Sequence, residues 1–267
     1  MLAACGASGL LTYCGGWQPL PCPLPCPEML AHRGDVLAVL DNTAHAVWVG
    51  RRIIPVDSGV EAMLLWEDTL LTLSGDTDCL TLFSLATGQP LLTVPAGVYP
   101  QDMCLLPGSR SLAVCGGADG LLRVIRLPEL WEEQALALPG SVQRVACMGS
   151  ALYVLCATEQ DSLCCQLCRV QGGRWSAIAR WPGLPGAIHA DSAGRLWVAA
   201  SELLCCFHQC EYRLLPGEFG LIRHMDSRGG KLLASDPVLD ANGFEDMDAS
   251  RRVVFKFRLT DEQIAYI

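Results

Sequence analysis

The sequence predicts an all-β chain: a β-propeller of four-stranded antiparallel sheets. Three observations carry this: a repeat near 40 residues, short strands set off by tight turns, and the lack of helical spacing. The repeat shows in runs that look alike, beginning at Leu37, Leu71, Leu112, Leu152, Leu196 and Leu232, with gaps of 34, 41, 40, 44 and 36 residues. A chain of 267 residues holds close to seven such units. Seven blades is the expected number, with six as the fallback. A period of this size marks repeat architectures in which no unit can bury its apolar surface alone.

Each unit has the same internal order. A β-rich run is followed by a polar turn (Gly75-Asp-Thr-Asp, Gly117-Ala-Asp-Gly), an alternating strand, a second turn (Ala86-Thr-Gly-Gln, Gln171-Gly-Gly-Arg) and a closing strand. Short strands with turn signals every 8–12 residues read as all-β. The 16 prolines and 26 glycines recur too often for long helices. Leu130-Trp-Glu-Glu-Gln-Ala-Leu has the composition of a helix, but its place in the unit predicts a turn into an outer strand.

The whole of 1–267 is expected to be one propeller domain. Two segments break the period. Trp17 to Pro27 carries five prolines and reads as an extended edge or crossing loop. Val238 to Arg251 (about 238–251) is an acidic insertion in the last unit. The chain begins with what reads as the second strand of a unit, so Gln263-Ile-Ala-Tyr-Ile is expected to complete the first blade.

Composition sets limits. Apolar residues make up 51% and charged residues 18%, the opposite of a disordered chain. No apolar run is long enough for a membrane-spanning helix. The formal net charge is −9 and lysine occurs only at 231 and 256, so neither a nucleic acid nor an anionic membrane is an expected partner. The 15 cysteines sit mostly inside apolar runs, as Cys115 and Cys156 do, and read as buried thiols in a reducing compartment. Leu2-Ala3-Ala4-Cys5 has the form of a lipoprotein cleavage box, but no charged or apolar leader precedes it, so it reads as a short strand. A cytoplasmic monomer is the expectation.

Val98-Tyr-Pro-Gln-Asp-Met-Cys-Leu-Leu-Pro-Gly-Ser-Arg-Ser-Leu-Ala-Val-Cys-Gly-Gly-Ala-Asp-Gly-Leu-Leu-Arg-Val-Ile resembles a repeat of the YVTN-type propellers. Leu82-Phe-Ser-Leu-Ala-Thr-Gly-Gln-Pro-Leu is similar to the corner between third and fourth strands in these, in WD-repeat and in quinoprotein-like propellers. The Trp-Asp pair of true WD repeats is absent, as are regular tryptophan-docking repeats. The resemblance covers one good unit and several looser ones. It implies architecture and leaves activity open.

The candidate site is a polar ring at the channel mouth. Near the starts of successive first strands lie Glu61, Gln101 with Asp102, Arg144, His189 with Asp191, and Arg223 with His224. Each follows a similar turn (Gly59, Gly97, Ser141, Gly186, Gly220). Such a ring suits a small anionic or polar ligand, or a general acid and base.

Metal is weighed next. Cys164-Cys165-x-x-Cys168 and Cys205-Cys206-Phe-His208-Gln-Cys210 have zinc-like spacing. In an extended strand, though, Cys165 and Cys168 face opposite ways, so buried thiols are expected instead. Cys22-Pro-Leu-Pro-Cys26 reads the same way. The acidic group Asp236, Asp240, Asn242, Glu245, Asp246 and Asp248 does not follow the order of a calcium loop and reads as solvated. No metal and no cofactor is expected.

The expected function is therefore a non-enzymatic binding or scaffold protein that presents its channel mouth to a protein or small ligand, with no catalytic residue assigned. The alternative is a lactonase-like hydrolase that uses His189, His224, Arg144 and Glu61. With only Asn42 and Asn242 in the chain, the calcium-dependent branch of propeller lactonases is disfavoured.

Overall fold

A computed structural model describes residues 2–6, 9–13, 17–159, 162–208, 211–215, 222–228, 231–237 and 252–258. Among these the structure is strand and turn, with no helix, and therefore none long and apolar enough to cross a membrane.

The described strands form seven antiparallel sheets, five of four strands and two of three. The first holds β1 (Leu2–Gly6), β2 (Gly9–Tyr13) and β3 (Trp17–Pro19). The second holds β4 (Met29–Arg33), β5 (Val36–Asp41), β6 (Ala46–Val49) and β7 (Arg52–Pro55). The third runs β8 (Val60–Trp66), β9 (Thr69–Ser74), β10 (Cys79–Ser84), β11 (Pro90–Pro95). The fourth runs β12 (Asp102–Leu105), β13 (Ser111–Cys115), β14 (Leu121–Arg126), β15 (Trp131–Ala137). The fifth runs β16 (Ser141–Met148), β17 (Ala151–Glu159), β18 (Leu163–Gln171), β19 (Arg174–Pro182). The sixth runs β20 (Pro185–Ala190), β21 (Leu196–Ala200), β22 (Leu203–His208), β23 (Glu211–Leu214). The seventh holds β24 (His224–Arg228), β25 (Lys231–Pro237) and β26 (Arg252–Arg258).

Every sheet is a meander, in which each strand pairs with the next along the chain. The first strands lie beside one another in sequence, β1 by β4, then β8, β12, β16, β20 and β24. The fourth strands face outward: β11, β15 and β19 are exposed over most of their length.

Burial explains why the second strands read as unbroken apolar runs. A strand covered on both faces has no polar side to show. Along β13, Leu112 and Val114 pack toward the third sheet, while Ala113 and Cys115 pack toward the fifth. Along β17, Val154 and Cys156 face the fourth sheet and Leu155 the sixth. Along β21, Trp197 and Ala199 face the seventh sheet, while Leu196, Val198 and Ala200 face the fifth. Each of the core clusters lies between two consecutive sheets, so apolar side chains at alternate positions bind a sheet to both neighbours.

The segment expected as a turn into an outer strand supplies one, since Trp131–Ala137 is β15. Trp17 to Pro27 divides. Its first three residues are β3, at the edge of the described sheet, and the rest crosses to β4. Buried Asp41 pins that crossing, accepting from Cys26 N and from Ala44 N at 2.8 Å each.

One expectation is corrected. The chain does not begin with a second strand: β1 pairs with β2 and lies beside β4, the position of a first strand. The Leu-Ala-Ala-Cys run is apolar enough to pass for a doubly covered strand, which is why pattern alone misplaced it. The proposed closing segment 263–267 and the acidic insertion 238–251 lie outside the described residues.

Inter-sheet packing is directly testable. Leu71 is fully buried between the third and fourth sheets, whereas Leu91 on β11 is 57% exposed. Leu71→Ala is expected to cost about 2–5 kcal/mol in urea unfolding. Leu91→Ala is expected to stay within about 0.5 kcal/mol of the parent.

Candidate functional site

Loops between sheets meet the turns between second and third strands at one end of the first strands, the place where the sequence puts the channel mouth. Close backbone approaches set its shape. Gly117, at φ +64°, exchanges backbone hydrogen bonds with Val142 at 3.1 and 2.9 Å, tying the fourth sheet to the fifth. A Cβ there would run into the Tyr99 carbonyl, so glycine is required on space as well as on conformation. This approach fixes the loop that carries Tyr99, whose N–H donates to Asp78 Oδ1 at 2.6 Å. Asn42 makes the same kind of tie with its side chain. Its Oδ1 accepts from Val60 N at 2.9 Å and its Nδ2 donates to Val60 O at 3.1 Å, joining the second sheet to the third.

Glu61 follows Val60 and is half-buried beside Gly75 and the Tyr99 ring. Its carboxylate accepts a hydrogen bond from the Tyr99 hydroxyl and lies in the field of the Arg144 and Arg223 guanidiniums. Burial pushes the Glu61 carboxyl above its ordinary range, against the pull of Arg144, the Tyr99 hydrogen bond and Arg223, and with a smaller push from Asp76. The Glu61 charge, chiefly, raises the Tyr99 phenol in turn. Burial lowers Arg223, helped by the like charge of Arg144 and opposed by Glu61.

Arg144 is held by carbonyls from three sheets. Its Nε donates to Gly186 O at 3.0 Å, and its Nη1 donates to Gln101 O at 3.3 Å and to Gln143 O at 2.9 Å. A bulge in β16 between Val142 and Arg144 turns the side chain into this position. Asp102 supports the same corner, its Oδ2 accepting from Val145 N at 2.9 Å and its Oδ1 from Met103 N at 2.9 Å. Burial raises the Asp102 carboxyl, despite the neighbouring Arg144 and these two backbone donors.

The sequence-predicted residues thus divide. Glu61 lies in the field of Arg144 and Arg223, and the Gln101 carbonyl and Asp102 carboxylate adjoin Arg144. His189 does not join them. It is the fifth residue of β20, three residues beyond the Gly186 that Arg144 touches, or about 10 Å along the strand. Gly186 was read as a turn, but it lies inside β20, where a Cβ would meet the Ile222 carbonyl at 2.5 Å. The misplacement follows from that glycine. His224 is exposed at the start of β24, directly after Arg223.

Asp191 lies in the turn after β20 and has a structural occupation. Its oxygens accept from Ala193 N (2.9 Å), Arg195 N (3.0 Å), Arg195 Nε (2.6 Å) and Trp197 Nε1 (3.0 Å). Burial alone would raise this carboxyl, but the hydrogen bonds from Arg195 and Trp197 and the Arg195 charge hold it below its ordinary range. Sequence reasoning missed the Arg195 and Trp197 roles. The signal available was an Asp four residues before an Arg and six before a Trp, spanning a Gly turn.

The cysteines are distributed as strand geometry demands. Cys165 packs toward the sixth sheet and Cys168 toward the fourth; Cys205 packs toward the fifth and Cys206 toward the seventh. Burial pushes Cys165 and Cys205 up to about 12 and Cys206 up to about 11, which keeps them as thiols. Among the described residues no cluster of His, Cys, Asp or Glu has the grouping of a metal site. Asp240 to Asp248 lie outside those residues.

The fold has solved counterparts. A structure of Kuenenia stuttgartiensis hydrazine synthase superposes with a TM-score of 0.69 at 13% sequence identity, over 85% of this chain and 78% of that one. The chain folds as a β-propeller. No family model matches it. No curated protein matches it in sequence. At such identity the likeness to hydrazine synthase concerns the fold alone.

Two carboxylates give opposite pH signatures. Asp191 is lowered in the folded state, so its contribution is present above its unfolded value near ~3.9 and is lost as pH falls through its folded value. Asp191→Asn leaves Arg195 buried without its partner, an expected cost of about 3–5 kcal/mol at pH 7 that shrinks on acidification. Glu61 is raised, so its contribution is complete below its unfolded value near ~4.3 and is lost as pH rises through its folded value. Glu61→Gln is expected to flatten that part of the curve. Urea midpoints from pH 3 to 8 read both effects.

Proposed function

We propose that the channel mouth is a non-enzymatic binding site, which takes a small polar ligand, or a protein side chain, through an anionic group seated on Arg223. The reading rests on Glu61 of β8 lying in the field of Arg144 of β16 and of Arg223, the residue before β24, with the Tyr99 ring packed beside Glu61. Arg144 is fixed by three carbonyls, so it lends charge without needing to be ordered by the ligand. Arg223 is exposed as a residue while its charged end is partly desolvated, and it is the guanidinium offered to a ligand from solvent. Glu61 and Tyr99 then select for a donor on the same ligand, which favours a zwitterionic or hydroxylated anion over a plain one.

The same proposal takes the seven sheets as seven blades of one domain with YVTN- or WD-like repeats, working as a monomer in the cytoplasm. The binding reading draws support over the lactonase-like alternative from the position of His189. A hydrolase of that kind needs His189 acting with Arg144 and Glu61, whereas His189 Nε2 stands 2.8 Å from Ser227 Oγ and Arg144 is taken up by the Gly186, Gln101 and Gln143 carbonyls.

Thermal unfolding with and without acetate, inorganic phosphate and glycine tests the proposal. A probe at about 100 times its Kd adds roughly 2.7 kcal/mol of stability. The midpoint is expected to rise with at least one anion in the parent protein and not in Arg223→Ala. No rise with any of them overturns the ligand site. Lactone turnover that is lost in Glu61→Gln overturns the non-enzymatic reading.

A further inference from the structure

Strands β20 and β24 bring together a pair of side chains that the mouth does not use. His189 on β20 and Ser227 on β24 belong to first strands of consecutive sheets, and His189 Nε2 stands 2.8 Å from Ser227 Oγ. Both are half-buried, neither sealed in the core nor free in solvent. Asp226 and Asp191 both lie close enough to act on the imidazole through their charge.

The other ties between consecutive sheets differ in kind. Asn42 with Val60, Asp102 with Val145, and Arg144 with Gly186 each join a side chain to a backbone group. His189 with Ser227 joins two side chains, one a potential nucleophile and the other a base, at hydrogen-bonding distance. Burial lowers the His189 imidazole below its ordinary value, outweighing Asp226 and Asp191, so it is neutral at pH 7 and able to accept a proton. A serine hydroxyl becomes a useful nucleophile when a neutral histidine within hydrogen-bond reach can take its proton.

We propose that Ser227 is an acylable nucleophile, with His189 as its base, acting on small activated carboxylic esters. In the tautomer with its proton on Nδ1, His189 Nε2 accepts the Ser227 hydroxyl proton as Oγ bonds to the ester carbonyl carbon. The carbon–oxygen bond to the leaving alcohol breaks, and the imidazolium returns that proton to the alcohol oxygen. The products are acyl-Ser227 and a free alcohol. Water, deprotonated by the same imidazole, then releases the carboxylic acid and restores the hydroxyl. Asp226 and Asp191 stabilise the imidazolium that forms in between. This site stands apart from the mouth and does not depend on the ligand reading above.

The test uses the full chain and an alkyl fluorophosphonate, in which Oγ bonds to phosphorus, fluoride leaves and the proton passes to His189. Intact mass followed by peptide mapping reads the result directly on the parent protein. One adduct is expected, on the tryptic peptide His224 to Arg228. It should be absent in Ser227→Ala and form about 100-fold more slowly in His189→Gln. Hydrolysis of p-nitrophenyl acetate should fall in parallel. No adduct at Ser227 in the folded parent protein, or an adduct whose rate is the same in His189→Gln, overturns the proposal.

Discussion

Face-to-face packing between consecutive sheets is the constraint on which the rest of the structure depends. No sheet here can hide both of its faces by itself. Each second strand therefore carries apolar side chains at odd and even positions alike, and the two sets go to different neighbours: Leu112 and Val114 to one side, Ala113 and Cys115 to the other. A fully buried leucine contributes roughly 1.5–3 kcal/mol. The clusters between sheets repeat this gain around the chain, which is why turns, loops and outer strands are free to vary.

The polar inner surface follows from the same arrangement. First strands are pressed together at the centre, where space is short and backbone groups of adjacent sheets come near each other. Glycines at 117 and 186 permit the closest approaches. Asn42, Asp102 and Arg144 supply hydrogen bonds across gaps that the sheets' own ladders do not span. Groups placed there for cohesion also create a charged environment. Arg144 is both a strut between three sheets and the positive neighbour of Glu61.

The architecture was legible in the sequence because burial on two faces leaves a strong trace: apolar runs at a regular interval, separated by turn residues. The mouth was legible only in part. Glu61 and Arg144 do lie near the starts of first strands, since Gly59 precedes β8 and Ser141 opens β16. His189 does not, because Gly186 mimics a turn while serving a close contact inside β20. Tyr99 and Ser227 gave no signal of their own. Tyr99 has its place from Gly117, nearly twenty residues on, and Ser227 meets His189 across two sheets. Such contacts are products of tertiary geometry and leave no local pattern.

The thiols buried between the sheets have a practical consequence. Cys115, Cys156, Cys165, Cys168, Cys205 and Cys206 are shielded from solvent, and they are spread over the fourth, fifth and sixth sheets. An alkylating reagent reaches such a sulfur only when the surrounding blades part. The order in which these cysteines react under mild denaturant would therefore record, seam by seam, where the circle first loosens, with no label introduced from outside.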